Sequence, residues 1–172
     1  MTATATETAI ETLTLPPDGP FPNNPALPVI LHREAFTDPD PATIEATFAA
    51  HGWPPAWRWG VFDWHHFHAS AHEALGCYKG SATLQLGGPN GPLVDVAAAD
   101  TVVLPAGTAH RAVATRDGFR CVGAYPEGQE PDVQRGDGDA FEALEYRIHH
   151  VPLPAQDPVH GSAGSLTGHH PD

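Results

Sequence analysis

Between Glu73 and Tyr125 the chain never runs far without a turn signal. Apolar segments such as ATLQL, PLVDV, TVVL and RCVGAY are separated by GGPNG (87–91), PAG (105–107) and RDGF (116–119). Each segment has the length of a strand, about 5–8 residues, and side chains along a strand alternate between two faces. GGPNG joins Thr83–Leu86 to Leu93–Val96 as a hairpin. Thr101–Leu104 reads as a buried strand closed by PAG, RDGF as a further turn, and Phe119–Tyr125 as a last long strand. The pattern predicts an all-β fold, a small antiparallel barrel or jelly roll. The 19 prolines and 17 glycines among 172 residues favour the same short, turn-punctuated strands over long helices.

The flanks read differently. Residues 1–28 are rich in Thr, Ala and Pro and are expected to form an irregular arm. LPVILH (27–32) reads as a strand. Asp40 is placed to cap a short helix opened by Pro41, with Ile44, Phe48 and Ala49 on one face and Gly52 as its stop. A polar loop follows Tyr125, Ala140–Arg147 reads as one helical stretch, and 152–172 as an irregular tail. One domain over 29–151 is the expected organisation.

Composition removes several function classes. With 21 acids against 8 bases the formal charge is −13, so nucleic acid phosphates and anionic membrane surfaces are repelled. Lys79 is the single lysine. Cys77 and Cys121 show no CxxC spacing and read as small buried apolar residues. The first residues lack a basic and an apolar signal region, and no run approaches the roughly 20 apolar residues of a membrane helix. A soluble, cytoplasmic protein is expected.

Four histidines and a carboxylate fall within His65–Glu73, in a chain holding 12 histidines. His66 and His68 are two apart, so on a strand their rings share a side, with Phe62 and Trp64; His65 faces the other way, as packing. Glu73 can return to the same place from the next strand, and His110 follows the PAG turn that ends a later one. Three imidazoles and a carboxylate suit a divalent first-row transition metal: Fe, Mn, Ni, Cu, Co or Zn. His72, adjacent to Glu73, competes with it for the inward position, as a fourth ligand or as an acid–base group at the rim. Trp53, Trp57, Trp59 and Trp64 lie just upstream, as pocket wall or as core. Cys77, Cys121 and Tyr125 lie on faces that can line the same cavity.

The spacing Gly60-x5-His66-x-His68-x4-Glu73-x6-Gly80 resembles the first motif of the cupin superfamily. The stretch Ala99–Ala114 is similar to the second, with Pro105, Gly107 and His110 in place; Ala99 and Ala114 replace its terminal Gly and Asn at turn and packing positions. Flanking stretches such as NGPLVDV, VGAYPEGQ and VPLPAQDPVHG resemble the YjlB-like single-domain bacterial cupins. The resemblance implies a jelly roll that binds one metal through His66, His68, Glu73 and His110. Glu73, or His72 at the rim, is the expected catalytic acid–base group. Some cupin thiol dioxygenases carry a Cys–Tyr crosslink but lack the motif Glu; this chain keeps Glu73, so a Cys77–Tyr125 link is not expected.

The function expected from this resemblance is a mononuclear-metal oxidoreductase of the dioxygenase type, acting on a small enol- or diol-like molecule. An isomerase or lyase working through an enolate is the alternative, and a non-catalytic metal or small-molecule binder a third reading. A homodimer that exchanges edge strands is expected, with LPVILH as the candidate strand.

Overall fold

The computed structural model describes residues 9–162. Seven strands and two helices follow one another: β1 (Ile10–Leu13), β2 (Val29–His32), α1 (Pro41–Ala50), β3 (Pro55–Trp59), β4 (Glu73–Leu86), β5 (Leu93–Ala97), β6 (Thr101–Leu104), β7 (His110–Ala124) and α2 (Phe141–His149). All pairings between these strands are antiparallel, in the order β1-β2-β6-β4-β7-β3. The long β4 organises the sheet. One edge carries β6 against Glu73–Gly76 and then β5 against Ser81–Gln85; the other carries β7 along almost its whole length. The fold is the expected all-β jelly roll.

Alternation along these strands sorts the core. Leu75, Cys77, Leu84, Val102, Leu104, Phe119 and Cys121 pack on the inside of the curled sheet. Ala74, Val103 and Val122 face outward against Ile44 and Phe48 of α1, with Phe36 and Trp53. The helix begins as its sequence dictates, with the Asp40 carboxylate accepting from Thr43 N–H and Pro41 in the first turn. It seats on Gly76, where an added Cβ would lie 2.5 Å from Ile44 Cγ2. A third cluster joins Leu144 and Ile148 of α2 to Phe67, Ala69, Ala106 and Ala109, directly under the loops that carry the histidines.

Three expectations are corrected. RDGF does not turn the chain. Asp117 and Gly118 take φ of 55° and 69°, and β7 absorbs them as an irregularity while it stays paired with β4 on both sides of them. The arm expected to be irregular contains β1, which pairs β2 in full register from Ile10↔His32 to Leu13↔Val29. LPVILH is therefore not an edge: β2 is paired by β1 on one side and β6 on the other. Within the described part of the tail, Asp157 is fully buried and its carboxylate pairs with His32 Nε2 at 3.1 Å. The first eight residues, His169 and His170 lie outside the described residues. Among the described residues, no helix is long and apolar enough to cross a membrane.

Candidate metal centre

The segment from Val61 to His72 is not a regular strand, yet it keeps the alternation expected of one. His66 and Phe67 make isolated bridges in opposite directions, His66 to His110 and Phe67 to Gln134. The His66–His110 bridge brings the two sequence motifs together, with backbone hydrogen bonds of 2.9 and 3.3 Å. Phe62, Trp64, His66 and His68 share one side, and the His66 ring lies 4.1 Å from that of His110. His65 turns away and packs on Phe21.

His66, His68 and His110 are all buried, and one nitrogen of each lies within 4.8 Å of the others. The Nδ1 atoms are all occupied: His66 with the Trp64 carbonyl, His68 with that of Asp132, and His110 with that of Thr108. A carbonyl can only accept, so each Nδ1 donates. In the neutral ring this leaves the Nε2 lone pair as the free donor, the tautomer required of a metal ligand. Glu73 Oε1 sits 3.1 Å from His110 Nε2 and 3.4 Å from His68 Nε2. It is buried, and neither contact is aligned as a hydrogen bond. An orphaned carboxylate oxygen among converging imidazoles fits a cation, and the N/O donor set suits a divalent transition metal.

The electrostatics have the same asymmetry. Burial pushes His66 down to about 3, helped by the neighbouring His110. Burial also opposes a charge on His68, but Glu73 and the Asp132 carbonyl outweigh it and raise the ring to about 9. Burial would raise the Glu73 carboxyl; His68 and His110 instead hold it well below the usual carboxylate range. The raised His68 ring is therefore the positive partner of Glu73 in the metal-free site, and a bound cation would take over that role.

His72 is not part of the site. Its Nδ1 accepts the Ala106 N–H at 2.9 Å and its Nε2 donates to the Pro152 carbonyl at 3.2 Å. Burial holds it neutral, with a pKa lowered to about 4. It is a staple between two loops, because only one of two adjacent residues can face inward, and Glu73 does. Cys77 and Cys121 do not line the cavity either. They are free, buried neighbours across β4 and β7, with both thiols pushed up by burial.

Sequence reasoning missed Asp132. Its carboxylate accepts from Ala69 N–H, Ser70 N–H, Ser70 Oγ, Gln134 Nε2 and Arg147, while its carbonyl holds His68. Nothing in PEGQEPDVQRGDGD distinguishes it from a solvated loop acid.

A cavity of about 330 Å³ opens above the histidines, lined by Trp57, Trp59, Val61, Phe62, Leu75, Tyr125, Pro131 and Val133 around His66, His68, Glu73 and His110. The tryptophans divide evenly. Trp57 and Trp59 are cavity wall, Trp53 is core, and Trp64 lies outside the lining, stacked on Phe62 and covered by the Arg135 guanidinium at 4.0 Å. Tyr125 Oη accepts the Trp57 indole N–H at 3.0 Å. Its phenol is held above the ordinary value by burial and by the charge of Glu73.

No family model matches the chain. Among solved structures it is similar to procruciferin, an 11S globulin from Brassica napus, with a TM-score of 0.35 and 16% identity over 60% of this chain and 32% of that one. Among curated proteins it is 34% identical over 160 residues to the "Uncharacterized protein YjlB" of Bacillus subtilis (strain 168), covering 93% of this chain and 96% of the relative. The match runs nearly end to end in both proteins, and the chain belongs to the YjlB family.

Proposed function

We propose that this protein is a metal-dependent cupin enzyme, a mononuclear oxidoreductase of the dioxygenase type that acts on a small enol- or diol-like molecule. The observation that carries the reading is the convergence of three anchored imidazoles and Glu73 on the floor of an apolar cavity. His66, His68, Glu73 and His110 would hold one divalent ion. When bound, such a metal supplies Lewis acidity toward paired enol or diol oxygens and, for Fe, Mn, Ni or Cu, a route for electrons to dioxygen.

The chain's own residues supply the rest. Backbone carbonyls fix the three rings before any ligand arrives. Glu73 is the carboxylate positioned to take the substrate's hydroxyl proton. Tyr125 accepts from Trp57 and holds its own O–H toward Glu73, from which it can turn to donate to a developing oxyanion. The apolar walls lower the polarity around both interactions and so strengthen them. The Glu73–Tyr125 pair also favours the second reading, an isomerase or lyase, which needs one base and one acid but no oxygen.

The assembly is proposed as a homodimer, and a monomer at micromolar concentration in solution would overturn that. The two free thiols fit a reducing, cytoplasmic compartment. The deciding experiment is elemental analysis of wild type and His110→Ala, both purified without chelator. About one equivalent of Fe, Mn, Ni or Cu, lost in the variant, supports the reading and is followed by oxygen uptake on enols and diols. Zinc at one equivalent moves the reading to isomerase or lyase. No metal in either protein, with stability unchanged, overturns it.

A further inference from the structure

The polar and apolar parts of the cavity are segregated. His66, His68, Glu73 and His110 form the floor, and Tyr125 adds one hydroxyl. The remaining wall is aromatic or aliphatic: Trp57, Trp59, Phe62, Leu75, Pro131 and Val133 among them. Among the described residues that line it, none is Lys, Arg, Asn or Gln. The strand register explains why. On β3, Trp57 and Trp59 face the cavity, while Arg58 between them faces the other way and is bound by Glu45 of α1 through contacts of 2.6 and 3.0 Å. Arg135 is placed over Trp64, outside the lining. A second anionic group on a ligand, away from the floor, would have no cationic partner in this wall. It would lose its water without compensation and would enter against a formal charge of −13.

From this segregation we infer that the ligand is a flat, apolar molecule, of one or two rings, whose polar atoms are confined to one edge as two adjacent oxygens. Carboxylated, phosphorylated or glycosylated versions of the same ring are rejected. The size follows from the cavity, whose volume lies at the small end of the range for small-molecule sites, about 300–1,000 Å³. The Trp57 ring packs closely on Gly123, where an added Cβ would be 2.1 Å from it. The inference rests on the metal reading above, because the paired oxygens are assigned to the floor.

Two probes with the same diol and nearly the same shape test it: 4-isopropylcatechol and 3,4-dihydroxybenzoate. Binding to the metal-loaded protein is followed by tryptophan fluorescence and by calorimetry, with metal content measured on the same samples. At least tenfold tighter binding of 4-isopropylcatechol, weakened in Trp59→Ala with metal content retained, is the expected result. Equal or tighter binding of the carboxylate to metal-loaded protein overturns this inference and leaves the metal reading standing. Failure of wild type to hold metal overturns the metal reading, and this inference with it.

Discussion

His68 donates its Nδ1–H to the main-chain carbonyl of Asp132, a residue 64 positions further along the chain. The same Asp132 uses its carboxylate to hold Ala69 N–H and Ser70 N–H, immediately after His68. One residue of a surface loop thus sets both the ring orientation of a candidate ligand and the backbone that follows it.

Removing that carboxylate should be felt at the metal. Asp132→Ala is expected to weaken metal binding by about 10–100-fold, the usual scale for outer partners of metal ligands. Asp132→Asn should recover part of it, since an amide oxygen still accepts from Ala69 and Ser70. Competition with a chelating dye measures both. Unchanged affinity in Asp132→Ala would remove the Asp132 carboxylate from any role at the site.

Glu73→Gln removes the leading influence that raises His68. Burial lowers this ring; Glu73 and, after it, Asp132 raise it to about 9. With the Glu73 charge gone, His68 in metal-free protein should titrate well below its wild-type value. Histidine NMR across a pH series reads this directly, and a His68 that still titrates near its wild-type value would sink the assignment of Glu73 as its partner.

The buried His32–Asp157 pair should give the fold an acid limit away from the site. Burial would raise the Asp157 carboxyl, but His32 and the Val159 and His160 N–H groups outweigh it and hold it below the ordinary 3.8. The unfolded chain therefore takes up the proton first. The contribution of this group is complete above about pH 5 and is lost as pH falls through 3.8 toward the lower folded value. Asp157→Asn should cost about 1–3 kcal/mol at pH 7 and much less at pH 3, as read by urea unfolding at each pH.

Two glycine positions of the cupin-type motifs should respond in opposite directions. Ala99 stands where the motif has Gly and is held at φ 88°, a conformation an L side chain resists. Ala99→Gly should stabilise by about 0.5–1 kcal/mol, the relieved strain less the added unfolded-state entropy. Gly80, at φ 67°, has no room: an added Cβ would lie 2.3 Å from the Arg116 carbonyl oxygen. Gly80→Ala should cost more than about 3 kcal/mol. Thermal unfolding of the two variants checks both.

The sequence by itself determined the all-β class, the helix at Pro41, the GGPNG hairpin and the four residues that meet at the floor. These are local matters: turn chemistry, side-chain alternation and a fixed spacing between ligand types act over a few residues, or within one motif. Tertiary structure alone decided the rest. Asp117-Gly118 carries the same turn signal whether it reverses a chain or bulges a strand, and pairing of β7 with β4 on both sides of it made it a bulge. His72 and Glu73 are equivalent in composition, and the Ala106 N–H and Pro152 carbonyl, 34 and 80 residues away, drew His72 out of the site. Asp132 became a support for His68, and Trp57 and Trp59 became cavity wall, through contacts between segments far apart in the chain. Such contacts depend on which loops the barrel brings together, and no local pattern encodes that.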